Sequence, residues 1–154
     1  MILKLRKAEI KDSYQYFEWR NDPLVRKNSY NSKLIDLDSH NKWFSSKIMD
    51  SNIFFFIFEN ELNHKIGQVR IDLIDDKNAI INVSVSKDYR GKGYASELIL
   101  RSSNHFLENN KNVCINAYIK KNNSSSKKVF ENAGFVFIDE VLYKQSKSFQ
   151  YKKY

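Results

Sequence analysis

The stretch Arg90-Gly91-Lys92-Gly93-Tyr94-Ala95 constrains this chain more than any other. Before it runs an alternating apolar pattern, Ile81, Val83 and Val85; after it Ala95, Leu98, Ile99, Ser102 and Phe106 recur at helical spacing. A period of two predicts a strand and a period of 3.6 predicts a helix. The 154 residues include only four glycines, and two of them stand in this turn. Glycine admits positive φ and lets another group approach the backbone closely. A glycine turn that opens a helix presents free N–H groups and the positive end of the helix dipole. That combination suits a phosphate. The turn is not a Walker loop, since no Lys-Ser or Lys-Thr follows at the right spacing, and it is not a dinucleotide fingerprint.

The rest of the chain supplies elements around this turn. Alternation over residues 2–6 predicts a first strand, and residues 9–20 predict a helix with Ile10, Tyr14 and Phe17 inward. Asn21-Asp22-Pro23 is expected to break it, because proline cannot continue a helix. A loop with Arg26, Ser29, Tyr30 and Asn31 leads to a second helix over about residues 38–49, capped by Asp38 or Ser39. Strands are expected at 53–59, 65–74 and 79–86, then the glycine turn and a helix to about residue 109. Val113, Ile115, Ala117 and Ile119 alternate as a further strand, with Cys114 inside it. Asn122-Asn123-Ser124 reads as a helix cap, and Gly134 as the stop of the helix it opens. Residues 135–142 and 149–154 read as a terminal hairpin. The crossover around the glycine turn demands parallel neighbours, while short turns elsewhere favour antiparallel ones. The expected fold is a mixed α/β domain spanning 1–154, with a mostly antiparallel sheet of about seven strands and helices on both faces.

Composition excludes several classes. Hydrophobic residues make up 42% and aromatic residues 14%, which argues against disorder. The longest apolar run, 53–58, is too short to span a bilayer, and the first residues turn charged at once without a signal-peptide core. No membrane association and a cytoplasmic location are expected. Cys114 is the only cysteine, so neither an internal disulfide nor a cysteine-based zinc site is available. His40, His64 and His105 lack ligand spacing, and no metal is expected. The formal net charge of +8 favours anionic partners: nucleic acid, an acidic surface or phosphate-rich small molecules.

Arg90, Gly93 and Ala95, with Gly91, Lys92 and Tyr94 between them, resemble the Arg/Gln-x-x-Gly-x-Gly/Ala signature of the GNAT acetyltransferases, which grips the pyrophosphate of acetyl-CoA. The order of elements is similar over nearly the whole chain. A second signature also matches: an Asn after the fifth strand, then a helix ending in Gly-Phe, here Asn123 to Gly134-Phe135. The resemblance implies acetyl-CoA as cosubstrate and direct transfer of acetyl to an amine. It implies that Val83, Ser84 and Val85 run along the pantetheine arm, with a backbone N–H near Val85 facing the thioester oxygen. It further implies that residues 90–95 hold the pyrophosphate, that Asn123 contacts the pantetheine side, and that Lys127 or Lys128 meets a phosphate.

One departure matters for the chemistry. Many relatives place a tyrosine seven residues after that Asn, as general acid for the thiolate; here the position is Phe130, which has no proton to give and reads as packing. Tyr118 and Tyr143 become the candidate acids. A base is equally open. Some relatives carry a Glu on the fifth strand where Tyr118 stands here. Asn82, Ser84, Asn116 and Tyr118 lie opposite the apolar alternation and are expected to line one polar cleft. His40 is the other option, since histidine titrates near neutrality.

The acceptor end is carried by Trp19-Arg20-Asn21, Arg26, Tyr30, His40, Lys42 and Trp43. This arrangement resembles the GNAT branch that acetylates nucleotide-linked amino sugars in pseudaminic acid synthesis, on a UDP-linked 4-amino-4,6-dideoxy sugar. The resemblance implies Arg20, Arg26 or Lys42 at a diphosphate and Trp19, Trp43 or Tyr30 against a flat base. Two other classes stay open. One is an N-terminal acetyltransferase of ribosomal proteins or peptides. The other is a non-catalytic basic module binding RNA through clusters such as Tyr151-Lys152-Lys153-Tyr154; the glycine turn argues against it, and nucleic acid is not expected. Whether the chain forms a homodimer is left open.

Overall fold

The run Ile53-Phe54-Phe55-Phe56-Ile57-Phe58 is apolar at every position, and such a strand needs cover on both faces. The computed structural model, which describes residues 2–154, provides it. This run forms β2 (Ile53–Glu59) within a seven-stranded sheet. Its companions are β1 (Lys4–Lys7), β3 (Lys65–Leu73), β4 (Asn78–Val85), β5 (Cys114–Lys120), β6 (Val136–Tyr143) and β7 (Ser146–Lys153). The spatial order is β1-β2-β3-β4-β5-β7-β6, and only the β4–β5 pair is parallel. Phe56 and Phe58 join the larger core with α4 (Tyr94–Asn109) and α5 (Ser124–Asn132), through Leu98, Ile99, Phe106 and Phe130. Phe55 and Ile57 face the other way, into a second core with Tyr16, Trp19 and Phe44 from α1 (Ser13–Asn21) and α3 (Leu37–Ile48). The mixed α/β sandwich expected from the sequence is the fold observed.

Local readings differ at the N-terminal helices. Asp22-Pro23 does not simply break a helix: it starts a short one, α2 (Pro23–Asn28). Proline suits a first helical turn, where its missing N–H is not needed. The Asp22 side chain accepts from the N–H groups of Leu24 and Val25 and caps the turn. The cap of α3 is Asp36, two residues earlier than expected, accepting from Ser39 N–H at 2.8 Å. The inward face of α1 is also different: Ile10 and Tyr14 are exposed, while Tyr16 and Trp19 are buried. A buried ion cluster fixes that phase. Asp12 is fully buried, bonded by Arg6 through both carboxylate oxygens and approached by Lys65 at 3.3 Å. Burial pushes the Asp12 carboxyl up, but the Arg6 hydrogen bonds, the Glu9 N–H and the charges of Arg6 and Lys65 together hold it down at about 2.

His40, expected as an alternative base, is a structural pin. It has no exposed surface and is packed among Phe17, Trp43 and Phe44. Its Nε2 donates to the Ser13 carbonyl at 2.8 Å and ties α3 to α1, while Nδ1 is buried without a partner. A ring sealed from solvent cannot take a proton from an amine in a cleft. Burial lowers its pKa from the ordinary 6.5.

Two stability predictions follow from this packing. The folded chain binds the His40 proton less readily than the unfolded chain. Stability should therefore be flat just above pH ~6.5 and fall as the pH drops below it. Urea unfolding of His40→Gln should lack this limb; an unchanged pH profile would reject it. At Gly67 an added Cβ would meet the Ser84 carbonyl oxygen at 2.6 Å and Leu98 Cδ2 at 2.8 Å, where α4 lies against the sheet. Gly67→Ala should lower stability by about 1–3 kcal/mol, read from the same denaturation midpoint.

Candidate active site

The site begins where β4 and β5 part. They pair at Asn78–Cys114, Ala79–Ile115 and Ile80–Asn116, and then separate. Beyond that point β5 is paired only with β7, through Lys120, while β4 continues along β3 to Val85. The Ser86 N–H bonds to the Ile66 carbonyl at 2.8 Å, so even-numbered β4 residues turn their backbone groups to β3. By that alternation the N–H and C=O groups of Ile81, Val83 and Val85 point into the gap. Val85 illustrates it, since its carbonyl accepts from Arg90 Nε at 3.0 Å. Two strands diverging from a shared root leave a V with a free strand edge inside it.

At the mouth of the V lies the glycine turn. Gly91 and Gly93 have φ of +72° and +82°, which explains why both are glycine. A Cβ built on either would meet nothing within 4 Å, so the turn is an open cradle. Gly93 caps α4 without a side-chain bond, leaving the first N–H groups of a sixteen-residue helix aimed at the cradle. These features fit a pyrophosphate. Lys92 is exposed over the Tyr89 ring, which lies edge-on to Tyr94, and Ala95 follows in the first helical turn. Arg90 is not free to grip an anion in the expected way. Its Nη2 lies 2.9 Å from Asp22 Oδ1 and its Nε is held by Val85, so the guanidinium latches the turn to the α1–α2 junction.

On the opposite arm Asn123 caps α5 and accepts from Ser125 Oγ at 3.2 Å. Lys128 is exposed, whereas Lys127 stacks over Phe149 at 4.2 Å. Phe130 is buried edge-on to Phe135 in the larger core.

The floor of the cleft is polar on the α1–α3 side. Ser84 is buried and accepts from Gln68 Nε2 at 3.0 Å, and Asn82 lies one pair along the strand. Across the V, Asn116 donates to the Ala79 carbonyl at 3.2 Å, and Gln150 donates to Asn116 Oδ1 at 3.0 Å. Tyr118 stacks on Tyr143 with centroids 3.9 Å apart, and Tyr30 meets Tyr143 edge-on. The Tyr30 hydroxyl lies 2.7 Å from Ser148 Oγ. Burial is the first cause that raises the pKa of all three tyrosines, so each holds its proton at neutral pH.

The acceptor residues separate into two groups. Trp19 is buried in the smaller core and cannot stack on a base from outside. Asn21 exchanges two hydrogen bonds with the Ile35 backbone, and Arg26 donates to the carbonyls of Asn21 and Ser32. Both hold the loop between α2 and α3. Arg20 and Trp43 remain, and with them comes Arg70 of β3: the Arg20 guanidinium lies 5.0 Å from the Trp43 ring centre and that of Arg70 lies 5.4 Å away. Arg70 and Gln68 were not singled out from the sequence. The signal was present, since Gln68, Arg70 and Asp72 alternate with Val69, Ile71 and Leu73. Among the described residues no group of three acidic, histidine or cysteine side chains could hold a metal ion, and no helix is long and apolar enough to cross a membrane.

Comparison with known proteins agrees with this architecture. Residues 3–136 match the model of the GNAT acetyltransferase domain. No functionally curated protein matches the chain. A spermidine N-acetyltransferase from Vibrio cholerae, solved with CoA and spermine, superposes with a TM-score of 0.87 at 18% identity, over 97% of this chain and 93% of that one. A dodecameric structure of spermidine N-acetyltransferase from the same organism gives 0.81 at 19% identity, over 98% and 92%. A domain from Methanocaldococcus jannaschii gives 0.81 at 23% identity, over 99% and 97%. With the family model spanning most of the chain and the splayed strands and glycine cradle in place, this chain belongs to the GNAT acetyltransferase family and is an acetyl-CoA-dependent N-acetyltransferase.

Proposed function

We propose that the chain acts as a single cytoplasmic domain that transfers acetyl to a primary amine of a nucleotide-linked amino sugar, by direct attack with both substrates bound. The single observation that carries the transfer site is the V between β4 and β5, with backbone groups of Val83 and Val85 directed into it beside an open glycine cradle. Acetyl-CoA supplies the activated acetyl group. The cradle from Gly91 to Ala95 holds its pyrophosphate, and the free β4 edge orients its arm. A β4 N–H in the gap faces the thioester oxygen and stabilises charge developing there. The amine forms the new C–N bond as the C–S bond breaks. The acceptor ammonium loses one proton to bulk water along the polar floor of Asn82, Ser84, Asn116 and Gln150, and the second proton that nitrogen loses as the amide forms balances the one that the thiolate takes up. The stacked Tyr118 and Tyr143, both protonated at neutral pH, are the hydroxyls available to the departing thiolate.

The amino-sugar acceptor is supported by the cationic flank that Arg20 and Arg70 form beside Trp43. A second reading, acetylation of a polyamine, is favoured by the similarity of the fold to spermidine N-acetyltransferase. The dodecameric neighbour likewise favours self-association over an isolated chain.

Mass spectrometry after incubation with acetyl-CoA and UDP-linked amino sugars, polyamines and N-terminal peptides tests the reading. Acetylation confined to the amino sugars is the expected result, and turnover of spermidine alone overturns it. Gly93→Val should abolish acetyl-CoA binding in folded protein, since a Cβ fills the cradle and a β-branched residue resists positive φ. Tyr118→Phe or Tyr143→Phe should lower kcat by about 10²-fold or more if that hydroxyl protonates the thiolate. Unaltered rates in both would remove the tyrosine from the mechanism.

A further inference from the structure

Two guanidinium groups share one indole in this protein, and among the described residues only one of them has an anionic partner. Arg20 comes from α1, Arg70 from β3, and both lie within 5.4 Å of the Trp43 ring centre. Like charges brought together and partly removed from water repel each other. Arg70 has one anionic contact, its Nε to Asp72 Oδ1 at 2.9 Å. Arg20 has none: its Nη1 is buried without a hydrogen-bond partner among the described residues. Burial and the neighbouring Arg70 both lower the pKa of Arg20. A buried guanidinium N–H left unpaired carries a desolvation cost that an oxyanion would remove.

The position is as informative as the charge. Arg70 pairs with Asn82 across β3 and β4, on the face that also carries the Gln68–Ser84 pair. Two residues along a strand span about 7 Å. The guanidinium pair is therefore rooted about one such step from Ser84, on the polar floor and away from the glycine turn that receives the pyrophosphate. The anionic partner in this cluster is Asp72, beside Arg70, while His40, next to Trp43 on α3, is buried against the Ser13 carbonyl. Counting Arg20, Arg70 and Asp72, the cluster holds one uncompensated positive charge.

We propose that Arg20 and Arg70, stacked on Trp43, form a subsite for an oxyanion carried by the amine acceptor, set about one strand step from the reacting amine. The inference rests on the acetyl-transfer reading for the position of that amine, and it narrows the acceptor to an amine that also bears a phosphate or a carboxylate. The indole attracts both guanidiniums and limits their freedom, so less entropy is lost when their N–H groups meet an anion. A polyamine brings the wrong sign to this position. An amine and an oxyanion separated by the width of a sugar ring match the spacing.

Calorimetric titration of the CoA-saturated protein with UDP and, separately, with glutarate tests the subsite without requiring turnover. CoA occupies the glycine turn, so a second saturable event reports another anion site. The expected result is saturable binding of at least one probe, weakened about tenfold or more in R20Q and in R70Q, with CoA affinity unchanged. Tighter UDP identifies a diphosphate, and tighter glutarate a carboxylate. R20K keeps the charge without the planar fork; it guards against loss of folding and should bind with intermediate affinity. Absence of saturable binding by either probe overturns the subsite. So does unchanged affinity in both glutamine variants, or spermine binding that those variants weaken. Failure of acetyl transfer to every amine would leave these isotherms readable, so the two ideas fail separately.

Discussion

The parting of β4 and β5 after three residue pairs is the constraint on which the site depends. Both strands are fully paired on their outer sides, β4 with β3 and β5 with β7, so neither can close the gap without breaking a complete ladder. Asn116 sits at the last shared pair and bonds back to the Ala79 carbonyl, with Gln150 of β7 holding its other end. Past that pair Tyr118 leans on Tyr143, so the β5 side of the gap is braced from the β7–β6 hairpin. Backbone groups left unpaired by the chain are satisfied by water or by a ligand, and the open edge of β4 offers them to either. The glycine cradle and the start of α4, where Gly93 is the cap, stand at the same end of β4. Backbone pairing and phosphate binding thus draw on one geometric feature.

The sheet divides its labour by face. The α4–α5 face is apolar from Phe56 through Ile81 to Ile119 and supplies the larger core. On the other face the α1–α3 core stops at Phe55 and Ile57, and polar side chains take over from Gln68 and Arg70 onward. The boundary between core and cleft is therefore drawn across β3. A second coupling joins the cleft to the cofactor turn. Asp22 caps α2 and at the same time meets Arg90, so the α1–α2 junction and the glycine turn share one carboxylate. Ion pairing, reinforced by the caps, lowers the Asp22 pKa and keeps this latch charged at neutral pH.

Much of this was legible in the sequence because its signals are local. The apolar run of β2, the strand alternation of β3 to β5, the positive-φ glycines and the helix stop at Gly134 all depend on residues within a few positions. What was not legible depends on distant partners. Trp19 and His40 look like site residues in sequence, yet each is buried by contacts that only the docking of α1 on α3 creates. Asn21 and Arg26 form a polar motif whose function is to tie a loop, and no local pattern distinguishes a loop clamp from a ligand clamp. In sequence the Asp22-Pro23 pair fits a break or a start, because proline ends helices and also begins them; the cap bonds to Asp22 decide between the two. Alternation marks Arg70 as facing away from the core, without saying that this face becomes a cleft.

The net charge of +8 is the clearest case of a sequence property that gains meaning only with position. Lysines spread over a surface are solvated, screened and uninformative about a ligand. Many here have that status, including Lys128 and Lys42, which are exposed. Others are neutralised inside the fold, as Arg6 is by Asp12 and Glu59, and Lys153 by the dipoles of Ser103, Asn104 and the Ala133 carbonyl. Arg20 fits neither class: it is partly desolvated, faces a second arginine and has an N–H without an acceptor. A cation of that kind costs stability unless something outside the chain compensates it. One such residue beside a polar cleft says more about the chemistry of an acceptor than the sum of all the charges, because the fold bears its cost until an anion compensates it.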